Sequence, residues 1–238
     1  MARLFVACFD TLTNKKRDKT TVSCNESVDE QSKTNLPFIS AQTLPCPYHY
    51  RCNNDSIFST NELLFLNMND TIQFRKARAE ELSDIWPLFA QGIEKRRLEG
   101  SEQWQDGYPN PNSIASDIEK GYGYVCIDLD GDIVGYVALI FDIEPAYDEL
   151  EGEWLSNGKY AGIHRLVVSQ DKKIRGLGTW MMQQIEVVVL EKQIYSIKAD
   201  TNHDNAGMLR VFDKMGYIYC GIVYFRGSAR RAYEKILN

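Results

Sequence analysis

The chain has 238 residues, 44% of them hydrophobic and 25% charged, with a net charge of −6. Those proportions belong to a globular protein, and the acidic balance argues against a general nucleic-acid binder. No apolar run approaches the roughly 18 residues of a membrane span, and the opening Leu4-Phe5-Val6-Ala7-Cys8-Phe9 is too short for a signal-peptide core, so a cytoplasmic protein without a membrane partner is expected.

Residues 1–67 are polar, lack sustained periodicity and carry seven basic and seven acidic side chains, so the whole net charge falls on residues 68–238. They read as a poorly ordered extension, and the domain begins at Met68. A start site assigned too far upstream would produce such an extension; the intact mass of the native protein decides that point. Cys8, Cys24, Cys46 and Cys52 lie in this segment, with spacings unlike those of a zinc site. No metal is expected, and the cysteines read as free thiols.

From Ile72 the pattern tightens. Ile72 and Phe74 start a strand, and Leu82, Ile85, Trp86, Phe89 and Ile93 give a helical period over 80–98. Residues 103–112 read as a loop and 113–120 as a short helix. Strands over 122–129 and 133–141 form a hairpin through Asp130-Gly131-Asp132. An acidic loop over 142–157 follows. A strand over 162–168 leads into a glycine turn and a helix over 177–192. A strand over 194–200, a helix over 205–215 and two strands over 217–225 and 231–236 complete the chain. Order and spacing predict an α/β (α+β type) fold: a mixed, mostly antiparallel sheet of about seven strands flanked by helices.

The turn is Lys172-Lys173-Ile174-Arg175-Gly176-Leu177-Gly178-Thr179, between a strand and a helix. Backbone N–H groups at a helix N-terminus, approached through glycines, form an anion cradle. The bland alternative is a solvated charge run. A dinucleotide fingerprint would need a third glycine where Met181 stands, and the Lys-Ser/Thr pair of a triphosphate loop is missing.

Lys173-Ile-Arg-Gly176-Leu-Gly178 resembles the Arg/Gln-x-x-Gly-x-Gly/Ala turn of the GNAT superfamily of acetyl-CoA-dependent N-acetyltransferases, with Lys173 at the first position. Asn205-Ala-Gly-Met208-Leu-Arg-Val-Phe212-Asp-Lys214-Met-Gly216-Tyr217 is similar to that superfamily's Asn-x-x-Ala-x-x-Leu-Tyr-x-Lys-x-Gly-Phe. The resemblance covers about residues 72–236, strongest over 163–217. It implies a GNAT-like acyl-CoA N-acyltransferase fold, with acetyl-CoA as co-substrate and a small-molecule or peptide amine as acceptor. It further implies that Leu166, Val167 and Val168 offer backbone groups to the pantetheine arm, that Lys173, Ile174, Arg175, Gly176, Leu177, Gly178 and Thr179 hold the pyrophosphate, and that Asn205 bonds the arm. As a plain reading, Asn205 is a helix N-cap.

Phe212 stands where the superfamily often has a Tyr that protonates the leaving thiolate. A thiol pKa near 8.5 makes unprotonated departure cost only about 2 kcal/mol at neutral pH, whereas freeing an amine of pKa near 10.4 costs about 4.6 kcal/mol. A base is therefore needed more than an acid. His164, on the strand entering the turn, is the candidate base, weighed against a satisfied core histidine. Among Tyr217, Tyr219 and Tyr224 as hydroxyl donors, Tyr224 is taken forward. Trp104 and Glu144, the latter within a run of acids that otherwise reads as solvated, are the candidate acceptor contacts. A homodimer through an exposed sheet edge is in keeping with the pattern. The competing readings are an acyl-CoA-binding module without activity and a nucleotide-binding enzyme of another class.

Overall fold

The computed structural model describes residues 68–238, together with the backbone of a two-strand ribbon, β1 (Tyr50–Arg51) and β2 (Ile57–Phe58). The reading of 1–67 as an extension, and the cysteines within it, otherwise fall outside the described residues.

Eight strands form one sheet in the order β3-β4-β5-β7-β8-β10-β9-β6. They are β3 (Gln73–Lys76), β4 (Gly123–Ile127), β5 (Ile133–Ile140), β6 (Glu151–Gly152), β7 (Ala161–Val168), β8 (Ser196–Thr201), β9 (Ile218–Phe225) and β10 (Ser228–Ile236). Every pairing is antiparallel except β7 with β8. The expected mixed, mostly antiparallel α/β architecture is therefore present, with one strand more than the seven expected. The extra strand is β6, inside the acidic run read as a loop, beside a short helix, α3 (Pro145–Asp148). It pairs Glu151 and Gly152 with Ile222 and Gly221 of β9.

Side-chain alternation sends neighbouring residues to opposite faces. Cys126 and Val137 pack on one face against Trp180, Met181 and Ile185 of helix α4 (Leu177–Glu191) and Phe212 of helix α5 (Ala206–Met215). Val125, Tyr136 and Ala138 pack on the other against Ile85, Leu88 and Phe89 of helix α1 (Leu82–Leu98) and Ile114 of helix α2 (Pro111–Glu119). β5 is buried on both faces, as a central strand must be. Pro87 sits inside α1 without ending it, at the cost of the i→i−4 bond its missing N–H would have made to the Ser83 carbonyl. Arg226 and Gly227, both at positive φ, make the two-residue turn between β9 and β10.

One glycine sets how closely α1 approaches the sheet. A Cβ at Gly92 would lie 3.0 Å from Val167 Cγ2 and 3.1 Å from Trp104 Cζ3. Gly92→Ala gains about 1 kcal/mol of helix propensity and loses about 1–3 kcal/mol to overpacking. The expected result is a variant a few degrees less stable by thermal unfolding, with Trp104 displaced.

Candidate active site

The pairing of parallel β7 and β8 ends at Ile163 with Ala199, yet β7 runs on to Val168 and β8 to Thr201. A bulge explains the parting. Tyr136 of β5 pairs with Val167 and Ala138 with His164, so Arg165 and Leu166 share one opposing residue. Arg165 takes φ +54°, a left-handed conformation that costs a non-glycine residue of order 1–3 kcal/mol. Its guanidinium is anchored in return: Nε and Nη2 donate to Asp117 at 2.7 and 2.6 Å, and Nη1 donates to the Tyr108 hydroxyl. A bulge bends its strand, and β7 leaves β8 there.

The parted strands open a cleft of about 700 Å³. Its wall includes Leu166, Val167 and Val168 from β7, then Ile174, Gly176, Leu177, Gly178 and Thr179 from the turn, and Asn205 at the head of α5. The first amides of a helix have no acceptors within it, and the N-cap of α4 is Gly176, at φ +86°, which has no side chain to offer them. The Leu177 amide reaches Ile174 O at 3.2 Å. Those of Gly178 and Thr179 are left for an acceptor from outside. A Cβ at Gly178 would meet nothing within 4 Å, so the space in front of these amides is open.

The turn is held from behind. Gln91 of α1 accepts from the Gln170 amide at 2.9 Å and donates to Asp171 at 2.7 Å. The Lys172 ammonium lies among the carboxylates of Asp128, Asp130 and Asp132 at 2.7, 3.0 and 2.5 Å, which raise its pKa. Lys172 is therefore spent on the β4–β5 turn, not on a ligand. Lys173 and Arg175 are exposed and stand outside the cleft wall. The cations that do line the cleft are Lys95 and Arg96 of α1 and Arg210 and Lys214 of α5. Arg96 is already engaged, by Glu99, Ser101 and Asp204. The spacing of Arg210 and Lys214, one helical turn apart behind Asn205, was the available sequence signal for a basic helix face.

A second cavity of about 60 Å³ adjoins the first; Trp104, Leu166, Asn205 and Met208 line both. Asn205 caps α5 by accepting from the Met208 amide at 3.2 Å and donates to Gln103 at 3.1 Å. His164, Arg165, Asp200, Phe212 and Arg230 line the second cavity. Strict alternation would put Arg165 on the face opposite His164; the bulge lets both flank one space. His164 stacks on Tyr147, ring centroids 5.9 Å apart, and its buried Nε2 has no hydrogen-bond partner. Glu144 Oε2 lies 3.8 Å from that nitrogen. Burial, then the charges of Arg165 and Arg230, push the His164 pKa down to about 3, so its imidazole is neutral at physiological pH. Burial raises the Glu144 carboxyl above its usual range.

A family model described as acetyltransferase (GNAT) family matches residues 81–217, more than half of the chain. The chain belongs to the GNAT acetyltransferase family. It is an N-acetyltransferase, and transfer from acetyl-CoA is the general reaction of GNAT enzymes. A GNAT-family acetyltransferase from Streptococcus agalactiae 2603 is 36% identical, with a TM-score of 0.64, over 70% of this chain and 96% of that one. A putative acetyltransferase from Staphylococcus aureus Mu50 is 26% identical, with a TM-score of 0.53, over 70% and 99% of the two chains. A GNAT-family acetyltransferase from Listeria monocytogenes 4b F2365, 21% identical at a TM-score of 0.58 over 70% and 95%, shares the fold. No curated protein matches the sequence.

Within this GNAT enzyme, Phe212 is a core residue, its ring 4.7 Å from Tyr233 and 5.2 Å from Tyr217. Tyr224 is exposed on β9, its hydroxyl 3.3 Å from Glu151, and lines neither cavity. Trp104 stands at the junction of the two cavities. Cys126 and Cys220 are buried free thiols, both with pKa values raised by burial. Among the described residues no helix is long and apolar enough to cross a membrane.

Proposed function

We propose that this GNAT chain transfers acetyl from acetyl-CoA to a primary amine by direct attack, with no acyl-enzyme. The observation that carries the reading is the continuity of the parted-strand cleft with the second cavity. A pyrophosphate on the Gly178 and Thr179 amides would lie at one end, and His164 lines the other, with Glu144 behind it, outside both cavity walls and 3.8 Å from the His164 Nε2. Lys95, Arg210 and Lys214 supply the positive rim. Acetyl-CoA brings the activated acyl group; the chain's own residues place it and manage the proton.

The amine nitrogen forms its bond to the acyl carbon, the carbon–sulfur bond breaks, and the sulfur departs as thiolate. The proton shed by the amine goes toward Glu144, the group whose raised proton affinity narrows the gap to an amine, with the neutral His164 imidazole beside it. Tyr224 has no part in this path. The thiolate needs no acid partner, given the small cost of its unprotonated release, so Phe212 is tolerated. Two inert buried thiols fit the lack of an acyl-enzyme.

Phe212 is also what a non-catalytic acyl-CoA-binding module would carry. Release of free thiol from acetyl-CoA, measured over a panel of amines, separates the two: amine-dependent release supports transfer. Tight CoA binding with no release for any amine selects the module.

A further inference from the structure

Two residues lining the second cavity each carry a buried polar atom without a hydrogen-bond partner, His164 Nε2 and Arg230 Nε. Such orphans are rare in native proteins, and one on each of two residues lining the same cavity is what a polar ligand there would satisfy. The cavity's two arginines differ sharply. Arg165 has its fork closed by Asp117 and Tyr108. Among the described residues Arg230 hydrogen-bonds Asp200 alone, through Nη1 at 3.3 Å, longer than the 2.7–2.9 Å usual for a charge-assisted bond. Asp200 is meanwhile also held by the Tyr147 hydroxyl at 3.0 Å. Arg230 is thus the less fully paired of the cavity's two cations, with its Nε unpartnered, and its guanidinium is set over the Phe225 ring at 5.5 Å. Phe225 in turn packs edge-on to His164 at 6.1 Å.

We infer that the acceptor is a small amine bearing a neighbouring carboxylate, of α-amino-acid type, with Arg230 holding the carboxylate and the amino group directed to the His164–Glu144 side. This rests on the acetyl-transfer reading above. The size of the cavity agrees: about 60 Å³ is room for a few heavy atoms, an amino-acid head group and not a folded substrate. Charge agrees as well. Arg230 is only loosely paired with Asp200, at 3.3 Å, and a zwitterion brings a second anion to it, which a bare cationic amine does not. A peptide N-terminus has an amide where the carboxylate should be, whose neutral carbonyl can accept from Arg230 but brings no charge to pair with it. Arg230 is a specificity-determining contact in this scheme, not a proton carrier.

The test compares α-amino acids with their decarboxylated amines and their carboxamides as acceptors, reading kcat/KM. The carboxylate forms are expected to lead by 10- to 100-fold, as for loss of a charged hydrogen bond. In Arg230→Met that ratio collapses toward one, and Arg230→Lys restores part of it. Because Arg230→Met leaves Asp200 buried without its cation, Arg230→Met with Asp200→Asn is measured alongside, and the same collapse is expected. Amines turned over with no preference for the carboxylate, or a preference that survives both Arg230→Met variants, overturns the inference and leaves acetyl transfer standing. Failure of every amine while CoA binds overturns both.

Discussion

Gly178→Asp is expected to abolish acetyl-CoA binding, by more than a hundredfold, in a protein that folds at least as well as the parent. The two effects have opposite signs for one reason. A Cβ at Gly178 meets no protein atom within 4 Å, and a carboxylate in the first turn of α4 gains about 0.3–1 kcal/mol from the helix dipole. The same carboxylate takes the amides a pyrophosphate would use and faces it as a like charge. Two such charges about 4 Å apart repel by about 4 kcal/mol near a protein surface. Calorimetric titration with CoA reads the first effect and thermal unfolding the second. Undiminished CoA affinity in the folded variant would remove the cradle from the binding site.

The second large effect is expected at Glu144. Glu144→Gln should lower kcat by about 100- to 1,000-fold, the range of a lost general base, with KM for acetyl-CoA unchanged because Glu144 lies outside the cleft wall. The pH dependence fixes the assignment. Burial raises the carboxyl above its usual value, and only its ionised form accepts a proton. The parent rate therefore falls as pH drops through that raised pKa, and the Gln variant lacks this acid limb. His164, held to about 3, contributes no limb near its ordinary value. An acid limb near pH 6.5 that persists in Glu144→Gln would assign the proton to another group.

The parts of the site legible in the sequence are those built from consecutive residues. The glycines of the turn, the N-cap at Asn205 and the helical periods of α4 and α5 depend on neighbours a few residues away, so local pattern carries them. β6 escaped because a two-residue strand has too few positions to show alternation, and its acids resemble a solvated run. The bulge at Arg165 escaped because the left-handed position is filled by an arginine, where sequence reading looks for glycine. Arg165 is held there by Asp117, 48 residues away.

Charge was legible in amount but not in use. Lys172, Lys173 and Arg175 formed the visible basic cluster, yet Lys172 is neutralised by a hairpin turn some 40 residues upstream. The cleft instead draws on Lys95, Arg210 and Lys214. His164 stood out as a histidine near the turn, while its proton affinity follows from the burial and two arginines that only the folded chain supplies.

Sequence alone determined the order of the longer strands and helices, the family resemblance and the glycine turn at Gly176–Thr179, because short-range backbone preferences and side-chain periodicity are written residue by residue. Tertiary structure decided where β7 and β8 part, which cations face the cleft, and that burial moves the proton affinity of His164 down and that of Glu144 up. Those depend on distances and on solvent exclusion between segments far apart in the chain, and a linear pattern encodes neither.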